Sequence, residues 1–199
     1  MARDRVPIVK QSRREGFALS EKAIKIMARR QSTPGQHANS RPNSKPSLYS
    51  KQLREKQKVR HLYGLMEKQF AKIAHKAMSR PGIAGENMLV LLESRIDNAV
   101  YRAGFANTRR ASRQMVAHGH FNLNGKKVTI PSLVLKAGDV IEARPKSKKS
   151  NVFMAAAGSR ADWLDVKSKD FKFTVTTLPT RADIQDEIHE QLIIEYYSR

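Results

Sequence analysis

A formal net charge of +20 on 199 residues is the strongest constraint on this chain: 38 lysines and arginines face 18 acidic side chains, and the pI is near 10.5. Such an excess must be neutralised in a cell, and the polyanions available are nucleic acid and anionic membrane. The charge is also uneven. Residues 1–60 hold 16 basic and 4 acidic side chains, net +12; residues 61–150 hold 16 and 6, net +10; residues 151–199 hold 6 and 8, net −2. The polyanion surface is therefore expected in the first three quarters of the chain, not in its last 49 residues.

Enough apolar material remains for globular structure. Hydrophobic residues make up 40% of the sequence, which suits one or two small domains with modest cores. There is no cysteine, so disulfides, thiolate metal sites and a cysteine nucleophile are excluded, in keeping with a reducing compartment. The longest central apolar run, Met88-Leu89-Val90-Leu91-Leu92, is far too short to span a bilayer. The N-terminus has no signal-peptide core, and Asp4 and Glu15 argue against a transit peptide.

Along the chain, Ala23, Ile24 and Met27 suggest one small helix within a basic N-terminal extension. Residues 31–50 read as a linker, with serine, proline, glycine and asparagine at 11 of 20 positions, expected to be poorly ordered in isolation. The periodicity of Val59, Leu62, Met66, Phe70, Ile73 and Ala77 predicts one long helix over 47–78, capped by Ser47 or Ser50 and stopped at Arg80-Pro81-Gly82. A second helix is predicted over 86–103, with Leu89, Leu92, Ile96 and Val100 on one face and Gly104 at its end. Asn107 or Thr108 caps a third, with Ala111, Met115 and Val116 inward, Arg109, Arg110 and Arg113 outward, and Gly119 at its end. Asn124-Gly125 between two short apolar-alternating segments signals a hairpin, Ala137-Gly138-Asp139 a turn before a strand at 140–143, and Phe171, Phe173, Val175 and Thr177 a half-buried strand. A last helix is expected to place Ile184, Ile188, Leu192 and Tyr196 on one face.

Three basic constellations are candidates for function. The first is Gln52, Arg54, Lys56, Lys58 and Arg60, in turns where the apolar stripe has not yet begun, so the charge there has no matching core. The second is Arg109, Arg110 and Arg113 at a capped helix start, where amide donors and the helix dipole favour an anion and guanidinium groups add bidentate phosphate contacts. The third is Lys126 and Lys127 at the hairpin, with Lys146, Lys148 and Lys149 beyond the sheet. One basic helical face is most often only a solvated face; three in a chain of +20 point to a polyanion. His118 and His120 lack the further ligands a metal site needs and read as a helix end with RNA-facing imidazoles. Arg95-Ile96-Asp97 resembles the Arg-Leu-Asp of pseudouridine synthases, but Asp97 is expected on the polar side of its helix without other pocket residues, so no catalytic residue is assigned.

Several segments are similar to one known family. They are Pro34-Gly35-Gln36-His37, the run from Gln52 to Arg60, Leu91-Leu92-Glu93-Ser94-Arg95-Ile96-Asp97-Asn98-Ala99-Val100-Tyr101-Arg102, Thr108-Arg109-Arg110-Ala111-Ser112-Arg113-Gln114, His118-Gly119-His120, Asn124-Gly125-Lys126, and the tail from Glu190 to Ser198. In that order they resemble the S-four family of bacterial small-subunit ribosomal proteins, almost end to end.

The resemblance implies an α+β fold. A basic N-terminal extension and linker would occupy 1–46, a helical domain 47–90 with 180–199, and an inserted S-four RNA-binding domain 91–179, its helices packed on a small, twisted, mostly antiparallel sheet. It implies direct and early binding to small-subunit ribosomal RNA at a multi-helix junction of the 5′ domain, contact with ribosomal protein five of the small subunit, and a place on the path by which mRNA enters, with influence on accuracy. The acidic, amphipathic C-terminal region suits the protein neighbour. Expected RNA-binding residues are Arg3, Arg5, Arg13, Arg14, Gly35, Gln36, His37, Tyr49, Gln52, Arg54, Lys56, Lys58, Arg60, Arg109, Arg110, Arg113, His118, His120, Lys126, Lys127, Lys146 and Lys148. Many members bind zinc through four N-terminal cysteines; Val9 and Ser12 stand at the first pair's positions here, so no metal and no cofactor is expected and the arm would order itself on RNA. The implied location is the cytoplasmic ribosome, with an organellar ribosome left open. Two other readings are a free-standing RNA-modifying or quality-control factor with an S-four domain, and a basic membrane-surface protein. The second needs an exposed aromatic and leucine face, whereas the apolar stripe here reads as core.

Overall fold

The structure is a computed structural model that describes residues 4, 6–36, 38, 45–148, 161–184 and 187–198. In chain order the described elements are α1 (Ile8–Glu15), α2 (Glu21–Arg29), α3 (Leu48–Leu62), α4 (Glu67–Met78), α5 (Ala84–Glu93), α6 (Ile96–Arg102), α7 (Arg109–Ala117), β1 (Phe121–Leu123), β2 (Lys126–Val128), β3 (Val140–Ala143), α8 (Pro145–Lys148), β4 (Leu164–Lys167), β5 (Lys172–Val175) and α9 (Glu190–Tyr197). The fold is α+β. The chain forms two compact units, Met1–Gly85 with Glu187–Arg199, and Glu86–Asp186. No helix among the described residues is long and apolar enough to cross a membrane.

In the first unit, α1, α2, α3, α4 and α9 pack around Val59, Leu62, Leu65, Phe70, Ala74, Ala77 and Ile193. Ser47 caps α3, its Oγ accepting from the Ser50 amide at 3.2 Å. The predicted single helix over 47–78 is in fact two. Gly64 takes a left-handed φ of +62°, its amide bonds to His61 O, and the Leu65 amide reaches back to Arg60 O at 3.0 Å, a hydrogen-bonded stop that only glycine adopts without strain. Met66 then caps α4 and is exposed instead of continuing the stripe. The N-terminal segment holds two helices instead of one, and α2 buries Ala23 while leaving Ile24 exposed.

The second unit sets helices against a five-stranded sheet of order β2-β1-β3-β5-β4, every described pairing antiparallel. Its core joins Ile96, Val100, Phe105, Met115 and Val116 to the inward faces of the strands, Phe121, Val128, Ile141, Phe173 and Val175, with Trp163 and Leu164. The Asn124-Gly125 hairpin forms as its sequence predicts: Leu123 pairs with Lys126, and the two loop residues take φ of 48° and 80°. Thr108, not Asn107, caps α7, accepting from the Ala111 amide at 3.1 Å.

The predicted helix over 86–103 also divides. At Ser94-Arg95 the backbone turns extended because residues 131–135 cross it: the Leu135 amide donates to Ser94 O, the Ile96 amide to Leu133 O, and Arg95 pairs with Val134 as a bridge. The C-terminal helix starts only at Glu190. Upstream, Asp183 accepts from both the amide and hydroxyl of Thr180, and Arg181 Nη1 donates to Ile184 O at 2.9 Å, so Ile184 belongs to a turn and Ile188 precedes the helix.

Candidate nucleic-acid interface

The break at Ser94-Arg95 positions the central feature of the second unit. Glu93 ends α5 and Asp97 opens α6, and both are buried. Glu93, with a side chain 1% exposed, accepts from Arg102 Nε at 3.0 Å and Nη2 at 2.8 Å and from Asn98 Nδ2, and Arg109 Nη2 stands 3.9 Å away. Arg109 Nε donates to Asn98 Oδ1 at 2.9 Å, and its guanidinium lies over the Tyr101 ring. Asp97 is held on both oxygens by Arg95, at 3.0 and 2.7 Å, and Arg113 Nη1 donates to it at 2.9 Å. Ser112 Oγ donates to the Asp97 carbonyl. Two carboxylates on either side of the break thus hold four arginines, a net of +2, with exposed Arg110 adding a third positive charge. This corrects two expectations: Asp97 is not on a polar, solvated side, and Arg109 and Arg113 do not simply point outward. Their Arg–carboxylate contacts fix the guanidinium planes beforehand, which lowers the ordering cost of meeting a phosphate.

A second basic group surrounds Gly119. A Cβ built there would lie 2.5 Å from Lys127 Cε, so the hairpin lysine lies close along this backbone. Arg144 Nη1 donates to Gly119 O at 3.4 Å, and the Arg144 amide donates to His120 O at 2.9 Å. His120 Nδ1 is 2.9 Å from Ser147 Oγ, in the α8 turn that carries exposed Lys146 and Lys148. The His118 and His120 rings are 6.0 Å apart. Burial, then repulsion from the neighbouring His118 and Arg144, keeps the His120 pKa below that of an ordinary imidazole. Lys126, Lys127 and His118 are exposed. The structure therefore brings together side chains from α7, the hairpin and α8 that the sequence separates.

The α3 constellation is different. Its turns do have a core: Gln52 is 2% exposed and Lys56 3%, while Glu55 and Lys58 are buried as well. Lys56 Nζ meets Glu67 Oε1 at 2.8 Å and sits 4.9 Å from the Tyr196 ring centroid. Lys58 pairs with Glu55 at 3.0 Å and lies over Phe17. Gln52 Nε2 donates to Glu195 Oε2, and Glu55 Oε1 accepts the His189 amide at 2.9 Å. The expectation failed here because partners distant in sequence, Phe17, Glu67 and the α9 residues Glu195 and Tyr196, close over these turns. Arg60 donates to Gln57 and approaches Glu67 at 3.7 Å. Arg54 meets Glu15 at 3.2 Å; burial pushes the Glu15 carboxyl up, only partly offset by Arg54.

The N-terminal segment is tied to α3 by side-chain bonds. Asp4 accepts from the Val6 amide, from Gln11 and from His61 Nδ1 at 3.3 Å; burial acts to raise its carboxyl, but these bonds hold it below the usual carboxylate range. Ser12 donates to Ile8 O at 2.8 Å and accepts the Leu19 amide. The described part of the arm is thus packed within the protein, contrary to the expectation that it orders only on RNA. Among the described residues no group of three His, Asp or Glu is placed to hold a metal ion. Arg13 donates twice to Ser32 O, at 3.1 and 2.8 Å, while Arg14, Gly35, Gln36 and Tyr49 are exposed. Arg3, Arg5 and His37 lie outside the described residues.

Sequence reading missed Arg95, Arg102 and Arg144. No local signal marked the first two, because the break that places Glu93 and Asp97 beside them is imposed by residues 131–135.

A paired α5–α6–α7 helical face and a small antiparallel sheet, with arginines held on buried carboxylates, define an S4-type RNA-binding domain protein. Residues 94–141 match the family described as S4 domain, and residues 3–93 match Ribosomal protein S4/S9 N-terminal domain. Over the full length of both chains, the sequence is 48% identical to small ribosomal subunit protein uS4 of Chlorobium phaeovibrioides, 46% to that of Chloroherpeton thalassium and 44% to that of Roseiflexus sp.. The chain belongs to the small ribosomal subunit protein uS4 family.

Proposed function

We propose that this chain is a structural constituent of the small ribosomal subunit that binds small-subunit ribosomal RNA through the basic face of its S4 domain. The family is one of ribosomal structural proteins, so the role is not enzymatic and the working place is the bacterial cytoplasmic ribosome. The observation that carries the RNA reading is the arrangement of Arg109 and Arg113 on Glu93 and Asp97, beside exposed Arg110, with a second basic group around Gly119. Guanidinium groups fixed in plane suit bidentate phosphate contact, and lysines around them add screened, non-directional attraction.

Arg110, His118, Lys126, Lys127, Lys146 and Lys148 meet RNA directly in this reading, with Arg109 and Arg113 presented by their carboxylates. Arg14, Gly35, Gln36 and Tyr49 are contacts of the first unit. Gln52, Lys56 and Lys58 serve RNA binding by shaping that unit. Recognition is of folded RNA shape, at a multi-helix junction of the 5′ domain, with nucleation of body assembly as its consequence. Ribosomal protein five and entering mRNA are the further neighbours. Full-length correspondence with uS4 relatives favours this over a free-standing modifying factor.

The test is binding to a folded 5′-domain RNA fragment across a salt series, with a scrambled-fold RNA of equal length as control. Engagement of about 6–10 phosphates predicts an affinity loss of roughly 10³–10⁵ between 50 and 200 mM salt, with preference for the folded fragment. Equal binding to both RNAs leaves only a generic polyanion binder and refutes the reading.

A further inference from the structure

His120 stands where the end of α7, the start of β1 and the turn after β3 come together. Three contacts join these parts. Its Nδ1 is 2.9 Å from Ser147 Oγ, its carbonyl accepts the Arg144 amide at 2.9 Å, and the neighbouring Gly119 carbonyl accepts from Arg144 Nη1. The turn that follows is wound on Arg144, whose carbonyl accepts the amides of Ser147 and Lys148 at 2.8 and 3.1 Å. Ser147 is buried, and the lysines on either side of it are exposed. A four-residue helix has too few internal hydrogen bonds to hold itself, so its orientation depends on such anchors.

Gly119 completes the group. With φ of +72° it lets Lys127 lie against the backbone next to His120, where any Cβ would collide. Lys127 and Arg144 therefore both contact the Gly119–His120 backbone, and His120 reaches Ser147 between Lys146 and Lys148.

We propose that His120 is a positioning residue for RNA: through Ser147 it holds the 145–148 turn so that Lys146 and Lys148 join Lys127 in meeting backbone phosphodiesters. This rests on the RNA-binding reading above and adds which residue organises one part of that surface. The imidazole's role is geometric. Burial, together with repulsion from His118 and Arg144, disfavours a charged ring, so the ring is a hydrogen-bond partner while the lysines provide charge. Ser147 is the complementary half of the device, and its removal is equivalent to removal of the ring.

The experiment uses the full chain and the folded 5′-domain RNA fragment, with affinity measured across a salt series. Variants are H120A, S147A, their combination, H120N, whose amide reaches the place of Nδ1, and K146A/K148A as reference. Removing both lysines lowers the salt slope by roughly two. H120A and S147A each weaken binding about three- to tenfold, the range of one hydrogen bond, and lower the salt slope by about one. The combination binds no more weakly than the worse single variant, and H120N restores most of the loss. A purely architectural histidine would lower the melting temperature and leave the salt slope alone. S147A is the mild partner that keeps the test informative if H120A folds poorly. Unchanged slopes in both single variants, or losses that multiply in the combination, overturn the proposal while leaving the RNA-binding reading intact. Failure of the unaltered protein to prefer the folded fragment overturns both.

Discussion

Helices α3 and α7 are both rich in positive charge, yet the fold uses that charge in opposite ways. On α3, Lys56 and Lys58 are drawn inward onto Glu67, Glu55 and the Tyr196 and Phe17 rings, and Gln52 is sealed under α9. On α7, the carboxylates lie beneath the helix instead of around it, so Arg109 and Arg113 stay half-buried with Arg110 exposed. The first arrangement neutralises cations locally and builds a scaffold. The second leaves an excess of positive charge in a fixed geometry. A count of lysines and arginines is therefore a poor guide to an RNA surface; the position of the acids decides which cations remain to attract phosphate.

Glu93→Ala breaks that comparison most severely. It removes the acceptor of Arg102 and Asn98 from a site that is 1% exposed and leaves a guanidinium group without its counter-ion. Loss of one partner from a buried pair costs about 3–5 kcal/mol, read as a lowered midpoint in urea unfolding. Partly unfolded second units should also lose the steep salt dependence of RNA binding. A variant as stable as the parent would mean that the carboxylate is not the foundation of the arginine face.

Next in size is Gly119→Ala. The new methyl must both tolerate φ of +72° and displace Lys127, so a loss of about 1–2 kcal/mol is expected in thermal or urea unfolding. The same change shifts Lys127 from its place, so RNA affinity should fall by more than stability alone explains. An Ala variant with parental affinity would separate the hairpin lysine from the interface.

Why such features were only partly legible follows from the range over which each is determined. The Asn124-Gly125 turn, the Thr108 cap and the alternation of Phe173 and Val175 are fixed by neighbouring residues, and their sequences announce them. The helix break at Gly64 has a local signal, but the apolar spacing from Leu62 to Met66 to Phe70 runs across it and conceals it. The break at Ser94-Arg95 has none, because residues 131–135 impose it from a distance. Burial of Lys56 is likewise decided by α9. Of the candidate site, the exposed lysines and Arg110 were readable as charges; the pairing of Glu93 and Asp97 with α7 required knowing that the helices pack.

Lys56→Met sharpens the contrast from the other side. Methionine matches the buried length of the lysine and can rest on Tyr196, while Glu67 is half-exposed to solvent and keeps Tyr197 and Arg60 as partners. Stability should change by less than about 1 kcal/mol, because the remaining carboxylate is half in water and such partly exposed pairs contribute little. The salt slope for RNA should stay at the parental value, in opposition to the K146A/K148A reference. A slope lowered by about one would return Lys56 to the phosphate-contacting set.

The smallest effect lies in acid titration of the first unit, where two glutamates oppose each other. Partial burial acts to raise the Glu67 carboxyl, but hydrogen bonds from Lys56 and Tyr197 hold it below its ordinary value; burial keeps the Tyr197 hydroxyl, and its bond to Glu67 further keeps it, protonated well beyond the physiological range. A depressed folded-state pKa means that Glu67 contributes stability above its unfolded value, near 4.3, and loses it as pH falls through the lower folded value. Glu15 is raised by burial despite Arg54, so its sign is reversed: its contribution is present below the unfolded pKa and is lost as pH rises through the folded one. Glu67→Gln should therefore flatten the decline in stability below about pH 4.5, whereas Glu15→Gln should abolish a loss of stability that sets in as pH rises above about 4.5. Each change amounts to less than about 1 kcal/mol because Glu67 is half in water and Glu15 keeps a partly exposed Arg54 beside it. Urea midpoints between pH 3 and pH 6 measure both slopes, and equal acid profiles for the two variants would show that neither carboxylate is coupled to folding as its surroundings require.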